Sequence, residues 1–363
     1  MIDLAPFRDP KTARALVVAL GKAVEGLSRP LAFMEVCGTH TMAIHQHGLR
    51  SLLPDNIRLT SGPGCPVCVT PVSYIDHALA LARRPDTLIA TFGDLARVPG
   101  STASLQTEQA RGADIRIVYS PLDAVALARK NPEREVVFLG VGFETTTPTI
   151  AGAILRAREL GLSNFSVLSA NKTMPAPMAA LTADPELAID GYLCPAHVAT
   201  VIGGEGFRSL AETYRIPCVI TGFEPLDILH GLLLLVRQAR AGEARVEIQY
   251  RRFVRPEGNA KAREIMARVF EPGDADWRGI GVIPGSGLKI REDFAAFAAA
   301  RKLPVTVEPA REPAGCRCGE ILKGKLAPRE CPLFGAACTP ENPVGACMVS
   351  SEGACAAAYK YGD

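Results

Sequence analysis

The sequence has no long hydrophobic run, few aromatic residues and almost no net charge. Aromatic residues make up 6% of the 363 residues, and only one of them is tryptophan. The formal net charge of +2 gives no electrostatic reason to expect binding to nucleic acid or to an anionic membrane surface. The longest apolar run, residues 228–236, is interrupted by His230 and is too short to span a bilayer. We therefore expect neither a nucleic-acid nor a membrane partner.

Motifs for secretion and nucleotide binding are also missing. Residues 1–26 lack the basic start, apolar centre and small-residue cleavage site of a signal peptide. Their apolar period is instead that of an amphipathic helix. No G-x-x-x-x-G-K-[ST] sequence occurs, and Gly203-Gly-Glu-Gly206 is a poor match to a dinucleotide-binding turn. We therefore expect a cytoplasmic protein.

The cysteines are a small fraction of the chain but are unevenly distributed. Eleven occur, and six of them lie between Cys316 and Cys355. They amount to about 3% of the residues, which is too few for a disulfide-rich scaffold. In a reducing compartment, thiols grouped in this way indicate metal binding or redox chemistry.

Short apolar runs alternate with helical patterns over most of the chain, which is typical of βαβ units on parallel sheets. Gly142-Phe-Glu144 is echoed by Gly222-Phe-Glu224, each after an apolar strand and before a helix. We therefore predict an α/β fold with two similar Rossmann-like lobes. The predicted boundaries are 31–140 for the first lobe, 141–245 for the second, and 1–30 together with 246–363 for a third, mixed lobe.

The segment Gly62-Pro-Gly-Cys-Pro-Val-Cys68 has the most restricted backbone in the sequence. Each proline disfavours helical conformations in the residue before it, and the glycines admit conformations that other residues avoid. A helical pattern begins soon after Cys68, whose thiolate would be stabilised by the positive end of the helix dipole. Cys65 and Cys68 could form a redox dithiol, half of a zinc or iron–sulfur site, or an inert pair. We prefer the dithiol.

Cys37-Gly-Thr-His40 occurs where a parallel strand should end and its helix begin. Ligands collect at the carboxyl ends of strands in open α/β sheets, so Cys37 is expected to face a crevice. Its thiolate could ligate iron or act as a nucleophile, and His40 could tune it or serve as a second ligand. The simpler alternative is a buried, apolar cysteine beside a histidine in the first turn of a helix.

The C-terminal segment that contains the six clustered cysteines, here called the tail, has more thiols than one metal site needs. One [4Fe–4S] cluster or one zinc ion requires four ligands. The all-sulfur set without a nearby histidine favours iron–sulfur over zinc. The segment also has too few apolar residues for a core of its own, so a bound metal or cluster is expected to hold it together. We therefore predict a metal or cluster site in the third lobe, with an iron–sulfur cluster preferred to zinc. The thiols are Cys316, Cys318, Cys331, Cys338, Cys347 and Cys355.

Two carboxylates follow predicted strand ends in the paired Gly-Phe-Glu sequences. Glu144 and Glu224 could act as general acids, bind a cation or cap the following helix, and capping is the simplest role for each. The hydroxyls of Thr145-Thr-Thr147 would suit an anionic ligand near a helix N-terminus. Pro195-Ala-His197 and Pro284-Gly-Ser-Gly287 are expected to be further loops at strand ends.

Taken in order, these motifs resemble one family, HypD, which takes part in the maturation of [NiFe]-hydrogenase. The likeness spans nearly the whole chain and shows no departure at the motif cysteines. It is carried by Cys37-Gly-Thr-His40, Gly62-Pro-Gly-Cys-Pro-Val-Cys68, Gly142-Phe-Glu-Thr-Thr146, Pro195-Ala-His-Val198, Thr221-Gly-Phe-Glu224, Pro284-Gly-Ser-Gly287 and the six-cysteine tail.

The resemblance implies a role in assembling the Fe(CN)2CO moiety that is later inserted into the hydrogenase large subunit. It also implies two partners, a HypC-type chaperone and a HypE-type cyanide donor; we expect the chain to be a monomer when alone. Cys37 would bind the iron of Fe(CN)2CO together with a cysteine of HypC, and His40 would lie beside it. Cys65 and Cys68 would be the redox-active dithiol, and Glu144 would assist proton transfer in the cleft.

The same resemblance assigns roles to the tail. Its cluster ligands would fall on Cys316, Cys331, Cys338 and Cys355, which would bind a [4Fe–4S] cofactor. Cys318 and Cys347 would then be the surplus pair, and the resemblance implies a bond between them.

Three classes of function follow from these observations. The preferred one is an assembly scaffold in which electrons pass from the tail cluster through Cys65 and Cys68 to an iron at Cys37. The second is a stand-alone iron–sulfur and dithiol oxidoreductase that acts on a small molecule. The third is a zinc-stabilised adaptor without a redox role. Metal content separates the third class from the others, and partner dependence separates the first two.

Overall fold

The computed structural model describes residues 3–362 as an α/β protein. The strands are β1 Leu31–Glu35, β2 Ile57–Ser61, β3 Thr87–Thr91, β4 Asp114–Ile117, β5 Glu135–Gly142, β6 Phe165–Asn171, β7 Gly191–Pro195, β8 Cys218–Thr221, β9 Val246–Ile248, β10 Phe270–Trp277 and β11 Gly281–Ile290. The helices are α1 Pro10–Val24, α2 Gly38–Gln46, α3 Val72–Ala82, α4 Gly93–Ala96, α5 Leu105–Ala110, α6 Pro121–Lys130, α7 Thr147–Glu159, α8 Pro175–Thr182, α9 Ala196–Ile202, α10 Arg208–Glu212, α11 Pro225–Ala241, α12 Ala260–Val269, α13 Ala299–Lys302, α14 Cys318–Leu322, α15 Ala346–Val349 and α16 Ala354–Tyr361.

The strands form two parallel sheets and one antiparallel hairpin. The first sheet has the order β2-β1-β7-β8-β9 and the second has the order β4-β3-β5-β6. All neighbours within these two sheets are parallel, whereas β10 and β11 pair antiparallel. The predicted α/β class, with two parallel sheets and a mixed remainder, is confirmed.

The division between the sheets differs from the predicted lobe boundaries. β1 and β2 lie beside β7 in the first sheet, whereas β3 and β4 join β5 and β6 in the second. Residues 31–140 therefore contribute strands to both sheets. The apolar pattern of a buried strand identifies it as a strand, but it carries no information about which strand will be its neighbour.

The central strands of each sheet are covered on both faces, so they read as nearly continuous apolar runs, whereas the edge strands β2 and β4 expose part of their residues. β3 is buried at every position. On one face of the first sheet, α1 and α11 pack in a core with Leu20, Phe33 and Leu229. On the other face, the hairpin and the tail share a core with the sheet, to which they contribute Trp277 and Met348. The apolar residues of the tail therefore join an existing core.

The first sheet brings several predicted motifs to one edge. Glu35 at the end of β1 is in register with Ser61 at the end of β2, so the Cys37 turn and the Cys65 turn leave the sheet side by side. β7 and β8 end on the other side of β1, and the turns after Pro195 and Thr221 emerge there. Within residues 3–362, no helix is both long and apolar enough to cross a membrane.

Candidate metal and redox site

The turns that carry Cys37 and Cys65 are packed backbone to backbone. Cys37 immediately precedes α2 in an extended conformation. The N–H of Gly38 donates to the carbonyl of Gly64 at 3.0 Å. Gly64 lies so close to the backbone of Cys37 that no Cβ atom would fit between them. Glycine at this position is therefore required by the close approach of two chain segments.

Cys65 and Cys68 are joined by a disulfide in a tight turn. The N–H of Cys68 donates to Sγ of Cys65 at 3.2 Å, and the N–H of Val69 donates to the carbonyl of Cys65 at 3.2 Å. Both cysteines are buried. Their sulfurs are therefore shielded from bulk solvent and held by the turn itself.

A buried carboxylate, Glu35, supports the Cys37 turn. Its Oε2 accepts from the N–H of Cys37 at 3.2 Å, and its Oε1 accepts from the hydroxyl of Thr41 at 2.6 Å. Burial raises the pKa of Glu35 to about 7, while hydrogen bonds led by that from Ser61 act in the opposite direction. Glu35 is not among the site residues predicted from the sequence, although a charged residue inside an apolar strand is a signal that the sequence contains.

Glu352 of the tail packs against the start of α2, directly after Cys37. Gly38 packs directly against Glu352, whose Oε1 accepts from the Thr39 hydroxyl at 2.7 Å. Burial, followed by the charge of Glu352, raises the pKa of the Cys37 thiol to about 12. A cation bound at the sulfur would reverse this balance, because it stabilises the thiolate directly.

His40 is fully buried and faces the end of β8. Its Nε2 lies 3.0 Å from the carbonyl of Gly222 and 2.9 Å from the hydroxyl of Thr221. The carbonyl can only accept, so Nε2 carries the hydrogen and Nδ1 is the bare nitrogen. Nδ1 is buried without a hydrogen-bond partner among residues 3–362. Burial lowers the pKa of His40 to about 4, so the ring is neutral at physiological pH.

The ring of His40 belongs to an aromatic stack that unites three predicted motifs. Phe223 lies between the rings of His40 and His197, with centroid distances of 4.8 and 4.2 Å. His197 follows β7 and Phe223 follows β8. The predicted strand-end positions of Pro195-Ala-His197 and Thr221 are confirmed, although α9 begins at Ala196 without an intervening loop. Pro284-Gly-Ser-Gly287 was also predicted to be a strand-end loop, which is wrong, because it lies inside β11.

Glu144 is buried at the end of β5, in the second sheet. Both of its oxygens accept from the N–H of Met174, at 3.1 and 3.2 Å. Burial raises its pKa to about 7. Its counterpart in the echo, Glu224, instead pairs with Arg8. Neither side chain accepts a hydrogen bond as the N-cap of the following helix.

The six tail cysteines surround one small cavity. All of them line it, together with Ile321, Phe334 and Gly345. Sγ of Cys318 lies 2.9 Å from Sγ of Cys347, so these two thiols form a close pair. The other four thiols around the cavity are those of Cys316, Cys331, Cys338 and Cys355.

The residue types around the cavity are those that would hold a cluster through thiolates. Sγ of Cys338 accepts a backbone hydrogen bond from Val344 at 3.3 Å. Where cysteine sulfurs hold a cluster, hydrogen bonds of this kind help to set its reduction potential. A Cβ atom at Gly345 would crowd Sγ of Cys316, so glycine leaves the space beside that sulfur open. In the described chain, no group of three or more His, Cys, Asp or Glu side chains is placed so that it could hold a metal ion. The match to a cluster therefore rests on the residue types that share this cavity and not on ligand geometry.

The disulfide turn and the cysteine cavity are neighbours. Sγ of Cys68 lies 4.0 Å from the carbonyl oxygen of Ala346, which is flanked by the cavity residues Gly345 and Cys347. Val67 packs against the same core as the cavity cysteines. The structure thus brings Cys37, the Cys65–Cys68 pair and the tail cysteines into one continuous region.

This fold and these sites define the protein as a thiol-rich α/β protein, and comparison with known proteins gives the family. The HypD model, described as "Hydrogenase formation hypA family", matches residues 11–362. The chain is 48% identical to hydrogenase maturation factor HypD of Azotobacter vinelandii, over 98% of this chain and 96% of that protein. It is 45% identical to the protein of the same name from Escherichia coli K12, with the same coverage. The hydrogenase expression/formation protein HupD of Azotobacter chroococcum is 49% identical, again over 98% and 96%. The chain belongs to the HypD family of hydrogenase maturation factors.

Proposed function

We propose that this chain is the scaffold and redox protein on which the Fe(CN)2CO moiety of [NiFe]-hydrogenase is assembled, with a HypC-type chaperone and a HypE-type cyanide donor. One observation carries the proposal: the three cysteine sites are contiguous. The Cys65 turn touches the Cys37 turn through Gly64 and touches the wall of the tail cavity through Cys68. A dithiol between a metal-binding thiol and a cluster site is the arrangement that this function needs.

Cys37 is the proposed protein ligand of the iron that is being assembled. A thiolate is a soft ligand that suits iron bound by cyanide and carbon monoxide. Glu35 and His40 act as positioning residues, because Glu35 holds the backbone of Cys37 and His40 fixes α2 against the end of β8. The iron and its ligands are substrate here, brought and removed by the partners.

Cys65 and Cys68 are the proposed redox pair. Reducing their disulfide breaks the S–S bond, takes up two electrons and two protons, and leaves two thiols. A [4Fe–4S] cluster held by Cys316, Cys331, Cys338 and Cys355 would supply single electrons beside this pair. Burial of both sulfurs favours a reaction partner inside the protein over a small molecule in solution.

The proposal is tested by anaerobic co-purification with a HypC-type partner, followed by iron counting and infrared spectroscopy. Wild-type protein should show cyanide and carbon monoxide bands, and Cys37→Ala should lose them. The matched control is Cys218→Ala, which removes a buried cysteine of β8 that lies outside these sites and should keep the bands.

Other results would contradict the proposal. Bands that persist in Cys37→Ala would refute the iron-ligand assignment. Zinc in place of iron, without cluster absorption near roughly 400 nm, would indicate a structural adaptor. A cluster protein that reduces small molecules equally well without the HypC-type partner would be a stand-alone oxidoreductase.

A further inference from the structure

Arg278 is a buried arginine with an incomplete set of partners. It lies in the short connection between β10 and β11 and is only 3% exposed. Its Nε donates to the carbonyl of Thr70 at 2.8 Å, and its backbone N–H donates to the carbonyl of Val69 at 2.9 Å. Both acceptors directly follow Cys68. Arg278 therefore anchors the end of the disulfide turn through two hydrogen bonds.

The Nη2 nitrogen of the guanidinium lacks a counterpart. Nη2 is buried and has no hydrogen-bond partner within residues 3–362, and no carboxylate there forms an ion pair with Arg278. A guanidinium is always charged in proteins, and an uncompensated buried charge is strongly destabilising. Anchoring the turn needs only Nε and the backbone N–H, so anchoring does not account for the charge or for Nη2.

The same connection touches the tail beside the cysteine cavity. Gly279 and Gly319 lie so close together that neither has room for a Cβ atom. Gly319 follows Cys318, whose sulfur is paired with that of Cys347. Arg278 is therefore flanked by the disulfide turn, which it binds, and by the tail segment beside Cys318, which the adjacent Gly279 contacts.

We propose that Arg278 supplies the counter-charge of the cysteine cavity and ties that cavity to the disulfide turn. The inference rests on the proposed function, because the negative charge it balances is that of thiolates holding a cluster. The negative charge of a cluster held in the cavity would compensate the burial of the guanidinium. Arg278 is a positioning and electrostatic residue in this scheme.

A measurable consequence is that removing the charge of Arg278 should change the reduction potential of a cluster bound in the cavity. Reduction adds one negative charge, which a nearby buried cation favours because the surroundings screen it weakly. Arg278→Met removes the cation but keeps an unbranched side chain. The reduction equilibrium of the cluster should then become at least tenfold less favourable, a shift of about 59 mV towards lower potential for one electron.

The experiment is an anaerobic redox titration of the cluster-loaded protein, followed by electron paramagnetic resonance. Arg278→Lys keeps the charge and should retain most of the wild-type potential. Arg317→Gln is the matched control, since Arg317 lies between Cys316 and Cys318 in sequence, is half exposed and is paired with Glu320 at 2.7 Å. Solvent screens its charge, so this control should titrate like wild type.

Failure of this inference can be distinguished from failure of the proposed function. A wild-type protein that holds no cluster overturns both. A cluster that titrates in Arg278→Met as in wild type overturns the inference alone and leaves Arg278 as a simple anchor of the turn. If Arg278→Met does not fold, the same titration on Arg278→Gln decides the question, because its amide can still donate to Thr70. An unchanged potential there also overturns the inference.

Discussion

The backbone of Gly64 lies directly against the backbone of Cys37, with no space for a side chain between them. The contact joins the turn after β1 to the turn after β2 and is reinforced by the hydrogen bond from Gly38 to Gly64. Because cores and close backbone contacts resist extra atoms, a single methyl group here must move one turn relative to the other. The position of Cys37 therefore depends on a residue that carries no chemistry of its own.

Gly64→Ala should destabilise the protein by about 1–3 kcal/mol through overpacking. It should also reduce the iron retained with a HypC-type partner, because the Cys37 turn is displaced. Urea unfolding and iron counting measure the two effects. The matched control is Gly152→Ala in α7, where a Cβ atom meets open space and should stabilise by roughly 0.5–1 kcal/mol. Wild-type stability and iron retention in Gly64→Ala would show that the contact can relax freely.

The elements around this contact could be predicted from sequence, because each depends on a local pattern. The alternation of apolar runs with helical patterns predicted βαβ units on parallel sheets, and the Gly-Pro-Gly sequence predicted a restricted backbone before Cys65. The echo of Gly142-Phe-Glu144 at Gly222 marked two equivalent strand ends, and the structure places one in each sheet. The roles of these residues as ligands and redox groups stay predictions.

Long-range relationships could not be predicted in the same way. Nothing local indicates that β1 would lie beside β7, or that His40 would face the carbonyl of Gly222. The connection between β10 and β11 shows the same limit, since Arg278 binds Thr70 and Gly279 contacts Gly319, in segments far apart in the chain. Such contacts are set by packing of the whole chain, which residue periodicity does not encode.

The pH dependence of stability should carry a contribution from Glu144. Its folded-state pKa of about 7 lies above the ordinary value of 4.5, so between these values the folded protein binds more protons than the unfolded one. Its contribution is present in full below about pH 4.5 and is lost as the pH rises through about 7. The slope approaches about 1.4 kcal/mol per pH unit within that window.

Glu144→Gln should remove this slope, because the amide does not titrate and can still accept from Met174. Urea unfolding at about pH 5 and about pH 7, with wild type and variant side by side, isolates the contribution from that of Glu35. Parallel pH profiles for the two proteins would mean that Glu144 ionises in the folded state as it does in the unfolded chain.

The single tryptophan should report the ionisation of Lys172. Nζ of Lys172 lies 5.6 Å from the centre of the Trp277 ring, and burial lowers the pKa of this lysine to about 8. Because Trp277 is fully buried and unique in the chain, its emission should change with an apparent pKa of about 8. The change should disappear in Lys172→Met. A wild-type fluorescence profile that is flat across this range, or a pH-dependent change that persists in the variant, would show that the emission does not report the ionisation of Lys172.

Replacing one member of the disulfide should separate folding from function. Cys65 and Cys68 are three positions apart, so their cross-link closes a very short loop and contributes about 2 kcal/mol or less. Cys68→Ser should therefore fold with a modest loss of stability but fail to support hydrogenase maturation in a deletion strain. Cys194→Ala, a buried cysteine of β7, should support maturation. Full hydrogenase activity with Cys68→Ser would show that maturation does not require the Cys65–Cys68 pair.

The tail should lose its order when the cysteine cavity cannot hold a cluster. Met348 and Ile321 of the tail are buried in the core shared with the first sheet, but much of the segment around Cys331 has little regular structure. A bound cluster would take the place of further core there, so Cys331→Ala should expose Lys323 and Lys325 to trypsin. Mass spectrometry of a short anaerobic digest should find cleavage at these lysines in the variant and not in loaded wild type. Cys218→Ala should resist trypsin like wild type. If Cys331→Ala lost its cluster and still resisted cleavage, the shared core alone would be sufficient to order the tail.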